Sequence, residues 1–368
     1  MNKKTKNIVV TVLVAAILIG FFGWNLVKKQ TDFSDSERRA LAKFPEITLE
    51  SVISGEFMKE FEDFTLDQFP VRDGFRSIKA FVSHYIFANK DNNDVIIEGG
   101  HISKLEYPLK DDMIDHATGR FFYIYDSFIK EKGAKVYLSV VPDKNMFLAE
   151  KGGYLALDYN KLASSVKEKA PYAQYIDIFP LLSLEDYYNT DSHWRQEQIV
   201  DIAGHIASEM GVSFSDDFTV NTLDKPFYGT YYGQAALPFK ADTIKYLTSP
   251  AIDICKVKSY ETGMPVEVHV YNMEKAEGKD PYEMFLSGNQ ALLTVENHLS
   301  SNGKELVIFR DSFGSSLTPL LIQSYSKITV VDIRYINPAV LGNMVNFENA
   351  DVLFIYSSLL LNNSLGLK

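Results

Sequence analysis

The amino-terminal region of the chain contains an unbroken apolar run. Residues 8–27 read IVVTVLVAAILIGFFGWNLV and carry no charge. At about 1.5 Å per residue, a helix of this length spans roughly 30 Å, the thickness of a bilayer core. A cleaved signal peptide is the alternative, but the run exceeds the usual apolar stretch of about 7–15 residues, and no A-x-A site closes it. The pattern therefore predicts an uncleaved transmembrane helix.

Lysines flank this predicted helix on both sides. Lys3, Lys4 and Lys6 precede it, and Lys28 and Lys29 follow it. Counting the terminal amine, the balance favours a cytoplasmic amino end. No later segment is apolar and long enough to cross the membrane again. We therefore expect a single-pass protein of the cell membrane whose main body lies outside the cytoplasm.

The stretch after the anchor combines charge with helical periodicity. Residues 30–49 are rich in charge and favour a stalk. Between 50 and 88, apolar residues recur every three or four positions, which predicts amphipathic helices. We therefore divide the chain into a cytoplasmic tip with the membrane anchor (1–29), a helical extension (30–90) and a main domain (91–368) with an inserted segment at about 212–280.

Short β-branched runs alternate with helical patterns in the main domain. Apolar runs that predict buried strands lie at 134–142, 175–179, 305–309, 328–333 and 352–356. Helical periodicity occupies 112–132, 158–170 and 194–211, and residues 94–102 predict a hairpin. This alternation is typical of parallel strands in a sheet that helices cover on both faces. The sequence thus predicts an α/β fold.

Composition and charge narrow the classes of function. Hydrophobic residues make up 46% and charged residues 23% of the 368 residues, so the chain can bury a large core. Residues 1–29 hold five lysines and no acid, which leaves 32 basic and 48 acidic residues, net −16, in the rest. A body this acidic is a poor nucleic-acid binder, because phosphate neutralisation needs clustered cations. The single cysteine, Cys255, excludes an intrachain disulfide and a cysteine-cluster metal site.

One serine stands at the end of a predicted strand. The run 305–309 is followed by RDSFG at 310–314, which places Ser312 in a strand-to-helix turn. Ligands of α/β sheets gather at this edge, and the N–H groups that open the helix can hold an oxyanion. Helix capping is the commoner reason for a Ser at such a position. The turn alone therefore leaves both interpretations open.

The histidine best placed to act as a base is His193. It lies in the segment NTDSHW at 189–194, just before a predicted helix. A serine needs a base, and the base needs an orienting acid, and Asp191 can turn its carboxylate towards Nδ1 while Nε2 faces a pocket. A helix-capping cluster with an incidental histidine is the alternative. Further ligands at metal-binding spacing are not near, so we expect no metal site.

Taken together, these motifs resemble a known family. TDSHW, FRDSFGS and VVPDK (140–144) are similar to segments of the DHHW family, an alginate O-acetyltransferase-like branch of the SGNH hydrolases in Gram-positive bacteria. Further landmarks occur in the same order across residues 33–360, namely SERRALAKFP, FPVRD, NDVIIEGGHI, YEMFLSGN, VVDIRY and VLFIYSS. The chain departs from the DHHW signature at Ser192, and Arg310 replaces the glycine usual in SGNH enzymes, as is typical of this branch.

The resemblance implies an SGNH-like parallel sheet flanked by helices and a role for each residue of the candidate site. Ser312 is then the nucleophile, His193 the base and Asp191 the orienting acid. Their order along the chain inverts that of ordinary SGNH enzymes, which implies a circularly permuted triad. Backbone N–H groups near 312–314 are expected to stabilise the oxyanion.

Two further polar residues are candidates for contacts with substrate or oxyanion. Arg334 follows the strand predicted at 328–333, on the same sheet edge as Ser312. It either binds substrate oxygens or pairs with an acid such as Asp332. Asn289 lies in a Gly-Asn turn, where it either donates to the oxyanion or serves as a turn residue with positive φ.

A lysine and a tyrosine cluster complete the candidates. Lys144 stands at another strand end, where it either supports the site or is simply solvated. Tyr228, Tyr231 and Tyr232 lie in the segment YGTYYG. They either stack on sugar faces or pack in the interior.

The function implied by the resemblance is O-acetylation of a cell-surface polysaccharide or exopolysaccharide through an acetyl-serine intermediate. A membrane-bound O-acyltransferase would deliver the acetyl group, since one membrane span cannot carry it across. We expect no cofactor. Two alternatives remain open at this point: an esterase that removes acetyl groups with the same triad, and a non-catalytic glycan-binding or assembly protein.

Overall fold

The computed structural model of the protein describes residues 2–368, so residue 1 of the predicted anchor segment lies outside the described residues. Contacts divide the chain into two units. The first runs to Asn92 and includes Tyr232–Pro238, and the second contains Asn93–Tyr231 and Phe239–Lys368.

Helices dominate the first unit. Its elements in chain order are α1 (Lys3–Val27), β1 (Phe33–Ser34), β2 (Arg39–Ala40), α2 (Leu49–Ser54), α3 (Glu56–Asp67), α4 (Arg72–Phe81) and β3 (Asp91–Asn92). A π-helical turn, Val82–Ile86, continues α4. The side chain of Thr48 caps α2, and Gly55 with a φ of +82° separates α2 from α3. The predicted amphipathic helices between 50 and 88 are thus confirmed.

Helix α1 corresponds to the apolar run at the amino terminus. Within residues 2–368 it is the one helix long and apolar enough to cross a membrane, over Lys3–Asn25, and none of that stretch is buried in the protein. The side chain of Asn2 caps its first turn by accepting a hydrogen bond from the Lys4 N–H. The predicted helix is confirmed, and its passage through a bilayer stays a prediction.

Strands alternate with helices in the second unit. The strands are β4 (Val95–Glu98), β5 (His101–Lys104), β6 (Lys135–Val141), β7 (Gln174–Tyr175), β8 (Thr219–Phe227), β9 (Asp242–Thr248), β10 (Lys256–Ser259), β11 (Val266–Val268), β12 (Leu292–Glu296), β13 (Glu305–Arg310), β14 (Lys327–Val331) and β15 (Asp351–Ser357). The helices that follow β5 along the chain are α5 (Asp111–Ile124), α6 (Asn145–Gly152), α7 (Tyr159–Lys169), α8 (Val200–Glu209), α9 (Thr230–Ala235), α10 (Pro250–Ile254), α11 (Met273–Ala276), α12 (Phe313–Leu321), α13 (Leu341–Met344) and α14 (Ser358–Leu361). The predicted hairpin is confirmed as β4 and β5.

The main sheet joins eight of the strands described in residues 93–368. Their order is β11-β10-β12-β14-β13-β15-β6-β7. The pairs from β14 to β7 are parallel, as the alternation of strands and helices predicts. Strands β12, β10 and β11 extend the sheet in antiparallel fashion, which the sequence did not predict. The α/β prediction is confirmed, with a sheet that is mostly but not wholly parallel.

Strands β13 and β15 lie at the centre of the core. All seven residues of β15 are buried, and in β13 only the first residue is partly exposed, as expected for apolar runs with both faces covered. Ile308 of β13 pairs with Val330 of β14 on one side and Leu353 of β15 on the other. Helix α12 follows β13 and is buried at all nine positions. Ser312 therefore lies at the carboxyl end of a central strand.

Two predicted elements differ from the structure. The predicted helix over 194–211 begins only at Val200, because Trp194 is fully buried and its Nε1–H donates to the Phe313 carbonyl and the Ser316 hydroxyl. This tertiary contact holds the segment out of the helix. The predicted strand at 175–179 is also shorter, since β7 ends at Tyr175 and a 3₁₀ turn starts at Phe179 with Pro180 inside it.

Candidate active site

The predicted triad of Asp191, His193 and Ser312 forms one hydrogen-bonded relay in the structure. The Nδ1 of His193 lies 2.6 Å from an Asp191 carboxylate oxygen, and its Nε2 lies 2.7 Å from the Ser312 hydroxyl. With a carboxylate at Nδ1, the imidazole donates there and its Nε2 accepts from the serine O–H. The His193 side chain is 13% exposed and that of Asp191 1% exposed. The geometry thus suits a serine activated by an oriented base.

Ser312 is positioned by the residue before it. The Asp311 carboxylate accepts the Phe313 N–H at 3.0 Å with one oxygen and the Ser357 N–H at 2.8 Å with the other. This side chain therefore ties the nucleophile turn to the end of the neighbouring strand β15. Gly314 in the same turn has no room for a side chain, because a Cβ there would lie 2.5 Å from the Cβ of Arg310.

The same turn decides which backbone groups are available for an oxyanion. The Phe313 N–H is bound by the Asp311 carboxylate, and the Gly314 N–H donates to the Asp311 carbonyl at 3.1 Å. The N–H of Ser312 has no hydrogen-bond acceptor among residues 2–368. Of the N–H groups expected near 312–314, the Ser312 N–H is therefore the one free to meet a developing negative charge.

Asp191 is fixed by the backbone as well as by His193. One carboxylate oxygen accepts the His193 N–H at 3.0 Å, and the other accepts the Thr230 N–H at 2.8 Å. Burial alone would raise the pKa of this carboxyl, but the neighbouring imidazole and these hydrogen bonds lower it well below its ordinary value. The group is therefore a stable anion that orients the histidine.

A second buried carboxylate holds the loop that carries Asp191. Asp242, at the start of β9, accepts the Asn189 N–H at 2.9 Å and both the N–H and the hydroxyl of Thr190, at 2.8 and 2.6 Å. The Thr190 hydroxyl oxygen in turn accepts the Gly229 N–H at 2.9 Å. The N–H groups of Asn189, Thr190 and Gly229 and the Thr190 hydroxyl therefore have fixed partners, which limits the conformational freedom of the loop.

The Gly229 backbone passes directly against Asp191. A Cβ built on this glycine would lie 2.3 Å from the Asp191 Cβ and 2.4 Å from its Cα. No side chain fits at that distance, so the close approach that lets Thr230 donate to Asp191 requires glycine.

Lys144 lies beneath the same loop. Its side chain is fully buried, and Nζ donates to the carbonyls of Tyr188, Asn189 and Asp191 at 2.8, 3.0 and 2.7 Å. Burial lowers the pKa of this amine to about 7, against the opposing effect of nearby carboxylates. The solvated alternative for Lys144 is therefore wrong. Its donors are used by the loop backbone and not turned towards a substrate.

The imidazole of His193 packs between two aromatic rings. Tyr282 stacks on it with centroids 3.9 Å apart and an interplanar angle of 11°, and Phe313 lies 4.9 Å away. The Tyr282 hydroxyl is held by Ser316, at 2.9 Å. These contacts fix the plane of the imidazole while Nε2 faces Ser312.

Arg334 is held in an ion pair with an acid, whereas Asn289 is exposed to solvent. Arg334 donates to both oxygens of Asp332, through Nε at 2.9 Å and Nη2 at 2.6 Å, so its predicted ion pair is confirmed. Asn289 is exposed, and the left-handed residues of its turn are those from Leu286 to Gly288. The prediction of positive φ at Asn289 is therefore wrong. Roles for Arg334 and Asn289 towards an oxyanion or a substrate remain predictions.

The predicted tyrosine cluster is divided between surface and interior. Tyr228 is 42% exposed beside the Gly229 contact, so it stays a candidate for stacking on a sugar ring. Tyr231 is buried, and its ring lies 5.3 Å from the Lys144 Nζ, which favours the packing interpretation for that residue. Tyr232 is half-buried.

Sequence reasoning missed Gly229, Thr230, Asp242 and Tyr282 as parts of the site. The first two lie in the YGTYYG segment that was noted for its tyrosines, and Tyr282 begins the YEMFLSGN landmark. Asp242 carried no local signal, because its partners lie more than 50 residues earlier in the chain. Among residues 2–368 no group of three or more His, Cys, Asp or Glu side chains is arranged to hold a metal ion.

Solved structures of other proteins share this architecture. A DHHW family protein from Eubacterium siraeum superposes with a TM-score of 0.59 at 20% identity, covering 75% of this chain and 95% of that one. The chain has the fold of this DHHW family protein. Bacillus cereus PatB1, solved with a sulfonyl adduct, gives a TM-score of 0.59 at 17% identity, over 73% of this chain and 96% of that one. The predicted likeness to the DHHW family is thus confirmed at the level of the fold.

A more distant match is the O-acetyltransferase domain of Pseudomonas putida AlgJ. Its TM-score is 0.43 at 12% identity, over 73% of this chain and 92% of that one. No protein-family model and no curated protein sequence matches the chain.

Proposed function

We propose that this protein is a membrane-anchored O-acetyltransferase that modifies a polysaccharide outside the cytoplasm through an acetyl-serine intermediate at Ser312. The observation that supports this most directly is the hydrogen-bonded chain from Asp191 through His193 to Ser312. The choice of acetyl transfer follows the DHHW resemblance of the sequence. The choice of compartment follows the apolar helix α1 and the acidic body behind it.

The first half-reaction acetylates the serine. The Ser312 Oγ attacks the carbonyl carbon of an acetyl donor while its proton passes to Nε2 of His193. Negative charge develops on the carbonyl oxygen, where the Ser312 N–H can donate. The bond to the donor oxygen then breaks, and that oxygen takes the proton back from Nε2. Asp191 stays ionised throughout and stabilises the imidazolium.

The second half-reaction moves the acetyl group to sugar. A sugar hydroxyl gives its proton to Nε2 and attacks the acetyl carbon, which forms the new ester, and Ser312 leaves with the proton from Nε2. A membrane-bound O-acyltransferase supplies the acetyl group on the outer side. Exposed Tyr228 is a candidate for stacking against the acceptor sugar.

A sulfonyl fluoride tests the nucleophile without knowledge of the natural donor. The full chain in detergent is treated with phenylmethylsulfonyl fluoride, and the modified peptide is identified by mass spectrometry. We expect one sulfonyl group on Ser312, with fluoride as the leaving group, and loss of labelling in His193→Ala. Ser192→Ala, the same kind of change one residue from His193, keeps it. Labelling of another serine with Ser312 unmodified would refute the assignment.

Acyl transfer itself is measured with p-nitrophenyl acetate as donor and a glycan oligosaccharide as acceptor. We expect acetylated oligosaccharide from the wild type and none from Ser312→Ala. If Ser312→Ala still transferred acetyl, the mechanism would be wrong. If the wild type passed acetyl only to water, the esterase interpretation would replace the transferase. If it bound glycan and turned over no ester, the scaffold interpretation would stand.

A further inference from the structure

Helix α4 and the π-helical turn after it present an apolar face to the outside of the first unit. Large apolar side chains along this segment are each between 46% and 70% exposed, namely Phe75, Ile78, Phe81, Tyr85, Ile86 and Phe87. Their three- and four-residue spacing places most of them on one side of the helix. In α4 itself, the one buried residue among those described is Ala80. Contiguous exposed apolar surface of this kind marks an interaction site.

Two arginines of α4 face the protein instead. Arg72 and Arg76 are each 17% exposed and form ion pairs with Glu37 at 2.6 and 3.2 Å. Arg76 also donates to the Gly233 carbonyl at 2.9 Å. In a water-soluble protein an amphipathic helix buries its apolar face and exposes its charges. Here the two arginines are used inside the unit while large apolar side chains are exposed, so this face suits an apolar medium better than water.

Contacts with α1 fix the depth of this face. The ring of Phe21 stacks on Phe69 with centroids 5.4 Å apart and meets the edge of Phe75 at 5.7 Å. Phe21 lies six residues before the end of α1 at Val27, which is roughly 9 Å along a helix axis. If α1 spans a bilayer, the start of α4 therefore lies where acyl chains give way to headgroups. Amphipathic helices at that boundary bury their apolar face by about 5–10 Å.

We propose that residues 71–87 lie in the interface of the same bilayer that α1 crosses, with Phe75, Ile78, Phe81 and Tyr85 among the phospholipid acyl chains. The first unit is then held at the membrane by two helices, α1 and α4. The inference uses residues outside the proposed active site, so it stands or falls independently of the enzymatic proposal.

Lipid quenching of a fluorophore tests this position directly. The full chain with Cys255→Ala and a single new cysteine, Ile78→Cys, is labelled with NBD and reconstituted in vesicles of phosphatidylcholine and phosphatidylglycerol. Lipids with a spin label on an upper acyl carbon are then added. We expect about half or more of the NBD emission to be lost, with a blue-shifted maximum. Tyr85→Cys, two turns further along, is expected to behave in the same way.

Ser164→Cys on α7 is the matched control, since this serine is exposed in the second unit. We expect the label there to be quenched by aqueous iodide and unaffected by the spin-labelled lipids. If the labels at 78 and 85 were as open to iodide as the control, the face would be solvated and the proposal would fail. If they were shielded from both quenchers and cross-linked to a second protein chain, a protein would cover the face, which would also overturn the proposal.

Discussion

Replacing Gly229 by alanine gives the sharpest test of how the candidate site is assembled. The change adds one methyl group to a buried backbone position, outside the three residues of the relay. That methyl would lie 2.3 Å from the Asp191 Cβ, 2.4 Å from its Cα and 2.5 Å from its N. Two of these three atoms are backbone, so a rotamer change of Asp191 cannot relieve the overlap.

The size of the displacement follows from these distances. Ordinary contacts of a Cβ begin at about 3.4 Å, so the segment of Gly229 and the Asp191 loop must separate by about 1.1 Å or more. The same loop is held by Asp242 and Lys144, which restrict where it can go. The 2.6 Å bond from Asp191 to His193 and the Thr230 N–H bond are then both distorted. Misplacement by about 1 Å is expected to lower the rate of acyl transfer by roughly 10²-fold.

The assay compares kcat for p-nitrophenyl acetate and the rate of Ser312 sulfonylation in the wild type and Gly229→Ala. Gly119→Ala is the matched control, because this glycine lies exposed in helix α5 and a Cβ there meets nothing within 4 Å. We expect the control to keep full activity and to gain about 0.5–1 kcal/mol of unfolding free energy from helix propensity. If a folded Gly229→Ala protein sulfonylated at the wild-type rate, either the contact or the role of Asp191 would be wrong.

Three further predictions concern the neighbours of the relay. Lys144→Met leaves three loop carbonyls without donors, and each buried, unsatisfied carbonyl costs about 1–3 kcal/mol. We therefore expect a clear fall in unfolding free energy in urea titrations and a lower kcat. An unchanged kcat would contradict a positioning role for Lys144. Tyr282→Leu removes the ring stacked on His193 and is expected to lower kcat by roughly tenfold or more, whereas Tyr282→Phe keeps the ring and stays near the wild type; equal losses would point to the hydroxyl instead. Because the folded-state pKa of Asp191 is lowered, its ionised form stabilises the fold above about pH 4, and this contribution is lost as the pH falls. Asp191→Asn should therefore have a lower unfolding free energy than the wild type near neutral pH, and the difference should narrow in acid. A difference that did not change with pH would refute the lowered pKa.

The central strands were predictable because their signal is local. Runs such as ELVIF and VLFIY are short, β-branched and apolar on both faces, and the polar residues that follow them fix the sheet edge at which Ser312 lies. The pairing of Asp191 with His193 was predictable for the same reason, since they are two positions apart in sequence. Their meeting with Ser312 was not local, and it followed from family resemblance instead.

The remaining features depend on tertiary contacts that no window of sequence contains. Helix α8 begins later than predicted because the Trp194 indole is hydrogen-bonded to α12. The helical periodicity of the sequence contains no signal of that contact. The positive φ values at Leu286 and Ser287 run against local preference, so the turn was assigned to Asn289 instead. Burial of Lys144 depends on carbonyls about 45 residues further along, which is why a solvated side chain was an equal alternative.

The bond between the Asp311 carboxylate and the Ser357 N–H determines when the candidate site is complete during folding. The nucleophile turn is complete only after the last strand of the sheet has joined its neighbours. A nascent chain that ends before β15 contains Asp191, His193 and Ser312 but lacks Ser357, whose N–H binds the Asp311 carboxylate beside Ser312. Under the proposed function, acetyl transfer therefore begins only after the whole sheet has folded, with β15 in place beside β13.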